Sequence, residues 1–599
     1  MHTLVPGAEC RRCDGFIFRH CQNPDDRAFR RTCRLHPGTS GRPRADRKRC
    51  GIDFKPCPGM RRAGRPRYRR TARRSGTGGR FVHRSARSPP AGAAGVGGCS
   101  RLLGSAIPAG PIRRRRPRHA HGAVCSLKRP VAALSAGRAI GLMLGFIGVF
   151  SFDASAQPHR IADVEYAVLS QTASTLRRME APASASTEAE NSITINTQRT
   201  FQTIEGVGGA FSEIGGEALS HLDAGTQTNV LSHLFGSPTG AGFTFCRLPI
   251  GASDFALSAY SLNDTPDDYA MSQFTVERDE KYLLPYVQAA LQMAPSLQFH
   301  ACPWSPPGWL KTNGKMIGGG QLRNQPEAHR AYAVYLRKFI QAYEAKGIRV
   351  NRIFIQNEPN REMKYPSCLM PPKQMTRFVA DYLKPEFELY GLSTKIWAGA
   401  YQEKTSQYAH QGLADKAFAK AVAGVGFQYS DSRMVQDIRL MCPWLPVMHT
   451  ESECFDGSNN SLQAQALFAE VVKYMEAGCT VFTYWNMILN EQQCSSWGWA
   501  QNSLITIDRK NKTVSYRPDW AVMSLVSKMA RPGARRCEAF STGRFAPLAF
   551  QNIDDSVVLL LWTESGSTVY RVRMADEEFN LNLPANSLCA IRMVSTDEK

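Results

Sequence analysis

The sequence predicts an α/β fold: a (β/α)8 barrel, of the TIM type, with a side β-sandwich formed from both chain ends. Three observations point there. Eight short apolar runs follow one another between residues 204 and 485, the segments between most of them carry apolar residues at helical spacing, and both flanks read as short alternating strands. Parallel strands need crossover helices, and eight such units suit a barrel of about 250 residues.

Residues 1–125 come first and are unlike the rest. Of the 74 Lys and Arg in the chain, 32 fall in residues 1–130, against 6 of the 51 Asp and Glu. The whole positive excess therefore sits there, and the remainder of the chain has the composition of an ordinary, nearly neutral globular protein. Stretches such as Arg113-Arg114-Arg115-Arg116 show no helical or strand period, so no fold of their own is expected. Two functional readings exist: a basic arm for nucleic acid, and a zinc site at Cys10, Cys13, Cys21 and Cys33. Irregular spacing and the lack of a surrounding core weigh against both. The expectation is a basic low-complexity segment, disordered or not translated, and no nucleic-acid partner.

Residues 126–156 have the layout of a secretory signal peptide. Lys128, Arg129 and Arg138 precede an apolar stretch from Ala139 to Phe150, and Ala154-Ser155-Ala156 supplies small residues for cleavage before Gln157. The apolar stretch is too short for a stable membrane span. Signal peptides act at an N-terminus, so translation is expected to begin near residue 124 and the product to be secreted or periplasmic.

Residues 157–202 are assigned to the first part of the sandwich, 203–504 to the barrel and 505–599 to the second part of the sandwich. The eight runs are Ile204–Phe211, Phe243–Ile250, Leu297–Trp304, Arg352–Glu358, Lys395–Tyr401, Val425–Tyr429, Pro446–Glu451 and Cys479–Trp485. Pro326–Lys346 and Gln463–Glu476 read as helices, with Gly347 and Gly478 where each would stop. Flanking pieces such as Ile193-Thr194-Ile195 and Val557-Val558-Leu559-Leu560-Leu561-Trp562 are strand-like. The nine cysteines beyond residue 130 are scattered, and several lie in apolar runs where Cys serves as a small core residue.

Catalytic groups of such barrels sit at the C-terminal ends of the strands. Run four ends Gln356-Asn357-Glu358-Pro359, and run seven ends His449-Thr450-Glu451-Ser452-Glu453. Glu358 and Glu451 therefore stand at equivalent heights, three β/α units apart, facing one cavity. Paired carboxyls suit glycoside hydrolysis: one protonates the leaving oxygen while the other attacks the anomeric carbon. Burial and mutual repulsion would keep the acid protonated until it is used. Glu453, two residues on, is an alternative nucleophile. A non-catalytic carbohydrate-binding protein on the same fold is the alternative of another class, and the presence of both carboxylates argues against it.

The stretches Gln356-Asn357-Glu358-Pro359, Ser305-Pro306-Pro307-Gly308-Trp309-Leu310-Lys311-Thr312-Asn313-Gly314, Asp264-Thr265-Pro266-Asp267-Asp268 and Tyr484-Trp485-Asn486 closely resemble glycoside hydrolase family 30, the glucosylceramidase-like enzymes. The resemblance spans about residues 203–534. It implies a (β/α)8 barrel with a side β-sandwich and retaining hydrolysis of a β-linked glycan or glycolipid, without a metal or other cofactor. By the same resemblance Glu358 is the acid/base and Glu451 the nucleophile. Asn357 bonds the sugar 2-hydroxyl, Trp304 and Trp485 contact the glycone, and Arg247 fixes the nucleophile's carboxylate. Glu213 stands where the family's glucosylceramidases have an Asp for distal glucose hydroxyls, and run six, Phe427-Gln428-Tyr429, departs from their His-Trp-Tyr. Trp497 and Trp499 are expected on the cleft rim, where they could bind an aglycone or anchor their own loop. Glucosylceramide-like β-glucosides and, as an alternative, endo-cleavage of β-1,6-glucan are the expected substrates.

Overall fold

The computed structural model describes residues 158–169, 173–179, 189, 191–402, 407–565 and 569–596. The expected basic leader (1–125) and signal peptide (126–156) lie outside the described residues.

Each of the eight apolar runs contains one barrel strand: Gly206–Gly209, Phe245–Ile250, Gln298–Pro303, Arg352–Phe354, Lys395–Tyr401, Val425–Gln428, Val447–Glu451 and Val481–Tyr484. The second to the seventh form one parallel sheet, and the eighth pairs with the first. Parallel bridges from Ala210 to Arg247 and from Val447 to Cys479 close the ring. Alternation along the strands separates two layers. Phe245, Phe354, Trp397, Met448 and Val481 point into the barrel, whereas Cys246, Leu248, Phe427 and Phe482 pack outward against the helices.

Helices Pro326–Ala345 and Ser461–Glu476 lie where the apolar spacing predicts them. Gly347 and Gly478 follow them at φ +80° and +97°, left-handed conformations that only glycine adopts without cost. Asn460 and Gln463 close a reciprocal capping box at the start of the second helix.

The nine-stranded β-domain joins both chain flanks in one hydrogen-bonded sheet. Asn191–Thr203 lies between Val569–Met574 and Arg535–Ser541, and Leu588–Ser595 lies between His159–Leu169 and Val557–Trp562. Residues 557, 559 and 561 enter the domain's own core. Residues 558, 560 and 562 enter the core shared with the barrel. Thus the uninterrupted apolar run at 557–562 reflects a strand buried on both faces.

One boundary differs from the sequence reading. Residues 505–534, expected in the sandwich, include Ile505–Asp508 and Thr513–Tyr516 of a small sheet with Ile488–Asn490. They also include helix Pro518–Met529, buried along nearly its whole length. Trp520, Val522 and Leu525 of this helix belong to the barrel's outer core, so it acts as the eighth barrel helix. Its strong burial leaves almost no amphipathic contrast, which is why helical periodicity did not mark it.

Candidate active site

Glu358 and Glu451 both lie at the C-terminal mouth of the barrel, and both are buried. Their routes there differ. Glu358 follows strand four with φ +46°, a left-handed conformation costly for a residue with a side chain. Its Oε2 accepts from the Tyr365 hydroxyl at 3.2 Å and its Oε1 from the Gln428 amide at 3.3 Å.

Glu451 is turned into the barrel by a bulge. His449 pairs with Phe427, but Glu451 rather than Thr450 pairs with Gln428, so strand seven has one extra residue there. Strict alternation would send Glu451 outward with His449, which stacks on Phe482 at 4.0 Å. The bulge instead places Glu451 against the Arg247 guanidinium on one oxygen and the Tyr429 hydroxyl, at 2.8 Å, on the other. The Glu453 backbone N–H is held by Glu470 at 3.1 Å.

Arg247 also joins the two halves of the site. Its Nη2 donates to Asn357 Oδ1 at 2.7 Å and its Nη1 to the Thr450 carbonyl at 3.0 Å. Its guanidinium lies over Trp304, 4.5 Å from the ring centroid. Trp304 stacks on Trp485 at 5.2 Å, and the buried Nε1 of Trp485 has no protein partner. Every site residue expected from the sequence except Glu213 therefore meets in one bonded or stacked group.

Electrostatics distinguish the two glutamates. Burial, and then the charge of Glu451, pushes the Glu358 carboxyl up to about 7, against smaller opposing effects from Arg361, Gln428 and Tyr365. Glu451 instead has the buried Arg247 guanidinium on one oxygen, a charged partner that favours the carboxylate.

Glu213 has other partners. It takes Arg278 Nε at 3.1 Å and the Leu257 N–H at 2.8 Å and bonds to neither catalytic-pair residue. The carboxyl beside the pair is Asp254, whose pKa is raised well above the usual range by burial and then by the charges of Glu451 and Glu358. Its Oδ1 is buried and unpartnered, as are both polar atoms of the Asn486 side chain. Asp254 was missed because it lies four residues beyond strand two, in Gly251-Ala252-Ser253-Asp254, rather than at the strand's end. Tyr365, Gln428 and Tyr429 were missed as well, since no spacing rule marks a loop tyrosine or an inward amide. The signal for Gln428 and Tyr429 was their place at the end of run six, where the sequence departs from the family's His-Trp-Tyr.

Beside Glu213 lies a second buried carboxyl, Asp279, which accepts from Tyr260 at 2.6 Å and Tyr343 at 2.8 Å. Burial raises it to about 6, against the lowering effect of the two hydroxyls. A carboxyl raised on folding stabilises the protein when protonated, and that advantage disappears as pH rises through the folded value. Asp279→Asn should therefore gain on the wild type, in melting temperature, between about pH 4 and about pH 7. A difference that stays constant over that range would show that Asp279 does not titrate this way.

Residues 204–523 match the glycosyl hydrolase family 30 TIM-barrel domain. The lysosomal acid glucosylceramidase of Mus musculus is 27% identical over 430 residues, covering 67% of this chain and 81% of that protein. An endo-1,6-β-D-glucanase of Trichoderma harzianum is 33% identical over 219 residues, 34% of this chain and 44% of that protein. Among solved structures, SrfJ of Salmonella typhimurium superposes with a TM-score of 0.65 at 25% identity, covering 72% of this chain and 99% of that one.

Proposed function

The chain belongs to glycosyl hydrolase family 30, and from that premise we propose that it is an exported retaining β-glycosidase cleaving β-glucosides such as glucosylceramide by double displacement. One observation carries this reading: two buried carboxyls share one barrel mouth, one pushed up to about 7 by burial and the other paired with the buried Arg247 guanidinium. In the first step Glu451 attacks the anomeric carbon while Glu358 gives its proton to the glycosidic oxygen, and that C–O bond breaks. A glycosyl ester on Glu451 results. In the second step Glu358, now ionised, takes a proton from water, whose oxygen displaces Glu451 and frees the sugar.

The glycone pocket is defined by the unpartnered polar atoms. Trp485 Nε1, the Asn486 amide and Asp254 offer donors and acceptors from different barrel strands or the loops beyond them, as a polyhydroxylated ring requires. The distal-hydroxyl role expected at Glu213 passes to Asp254. Export by residues 126–156 belongs to the same reading and leaves Gln157 as the mature N-terminus.

A β-1,6-glucan substrate is the second reading. It is favoured by the Trichoderma relative and by the aromatic rim at Trp499, 4.8 Å from Tyr365 on the acid's side. Incubation with an aryl β-glucoside, glucosylceramide and β-1,6-glucan separates them. Glucose released from the first two is the expected result. Oligosaccharides from β-1,6-glucan, without glucose from glucosylceramide, would replace the first reading by the second.

A further inference from the structure

Gln428 is fully buried inside the barrel, at a position where the strand can approach its neighbours only because residue 426 is glycine. A Cβ there would lie 2.3 Å from the Phe354 ring and 2.7 Å from Thr450. The Gln428 amide has one consistent orientation. Thr450 Oγ1 donates to its Oε1 at 2.8 Å, and its Nε2 donates to Asn357 Oδ1 at 3.2 Å and Glu358 Oε1 at 3.3 Å. Flipped, its oxygen would face Asn357 Oδ1, which Arg247 holds as an acceptor.

This orientation determines the next one. Asn357 Oδ1 accepts from both Arg247 and Gln428, so its Nδ2 is left as the donor for a ligand. A sugar hydroxyl beside Asn357 must therefore accept a hydrogen bond there.

We propose that Gln428 is a positioning residue that tunes the proton-donating strength of Glu358 and locks Asn357 so that its Nδ2–H faces the sugar 2-hydroxyl. The inference rests on the proposed role of Glu358 as acid. A donor on Oε1 favours the ionised acid, so Gln428 makes Glu358 a readier proton donor. It works among the other groups facing Glu358: Glu451 from strand seven, Asp254 from the loop after strand two, and Arg361 and Tyr365 from the loop after strand four. Thr450 ties the amide to the nucleophile's own strand, so both ends of the reaction share one hydrogen-bonded chain.

The test compares wild type with Gln428→Met, which is similar in length but lacks donors, and with the isosteric Gln428→Glu, which keeps the acceptor for Thr450. The substrates are an aryl β-glucoside and its 2-deoxy analogue. The basic limb of kcat/KM against pH should move up in both variants, by about half a unit to one unit in Gln428→Met and by more in Gln428→Glu, whose carboxyl adds a like charge beside Glu358. Preference for the glucoside over the 2-deoxyglucoside should fall by about tenfold. Should Gln428→Met fail to fold, the isosteric variant carries the same two readouts. Lower activity with an unmoved limb and an unchanged preference would reduce Gln428 to packing and overturn the inference. Absence of hydrolysis by the wild type on any aryl β-glycoside would overturn the proposed function itself, and the inference with it.

Discussion

Replacing Glu451 with alanine should lower turnover by about 10⁴-fold or more, and added azide should restore it with the sugar captured as an α-azide. The alanine removes the attacking oxygen and leaves room for a small anion on the same face of the ring. Glu358 remains to protonate the departing group, so one displacement by azide inverts the anomeric centre. The parallel variant, Glu453→Ala, should keep turnover and show no azide dependence. The basis is the bulge at Thr450, which gives Glu451 the Arg247 and Tyr429 donors. Azide rescue in Glu453→Ala, with normal turnover in Glu451→Ala, would transfer the nucleophile two residues along.

That bulge also marks the limit of what the sequence could reveal. All eight barrel strands fall within apolar runs visible in the sequence, because a parallel strand buried on both faces leaves an uninterrupted apolar segment. Run four ended in a distinctive Gln-Asn-Glu-Pro, and the rule that chemistry sits at strand ends led to Glu358. Run seven offered Glu451 and Glu453 on the same alternation phase, and periodicity cannot distinguish residues two apart. Only the pairing of Glu451 with Gln428 separates them. Glu213 and Asp254 show a different limit. Both are carboxyls shortly after a strand, and which one stands beside the catalytic pair depends on loop paths and on the Arg278 and Leu257 bonds that hold Glu213. Gln428 was legible only as a departure from the family pattern. Its function depends on three partners from two other strands, which no single segment encodes.

Glu358→Ala should separate substrates by how much help their leaving group needs. For an alkyl glucoside or glucosylceramide, whose leaving oxygen must be protonated as the bond breaks, kcat/KM should fall by about 10²–10⁴-fold. For a dinitrophenyl glucoside, which leaves as a stable anion, formation of the glycosyl ester should be nearly unaffected. The second step then lacks its base, so the ester accumulates, and azide attacking it yields a β-azide, the opposite anomer from Glu451→Ala. The pH profile provides an independent check. In the wild type Glu358 must be protonated to donate, and its carboxyl is pushed up to about 7 by burial and the neighbouring Glu451. Activity on unactivated substrates should therefore fall as pH rises through about 7, and that limb should be missing from the variant. A variant that keeps the limb, or loses activity equally on both kinds of leaving group, would remove Glu358 from the acid/base role and leave its burial beside Glu451 without a catalytic explanation.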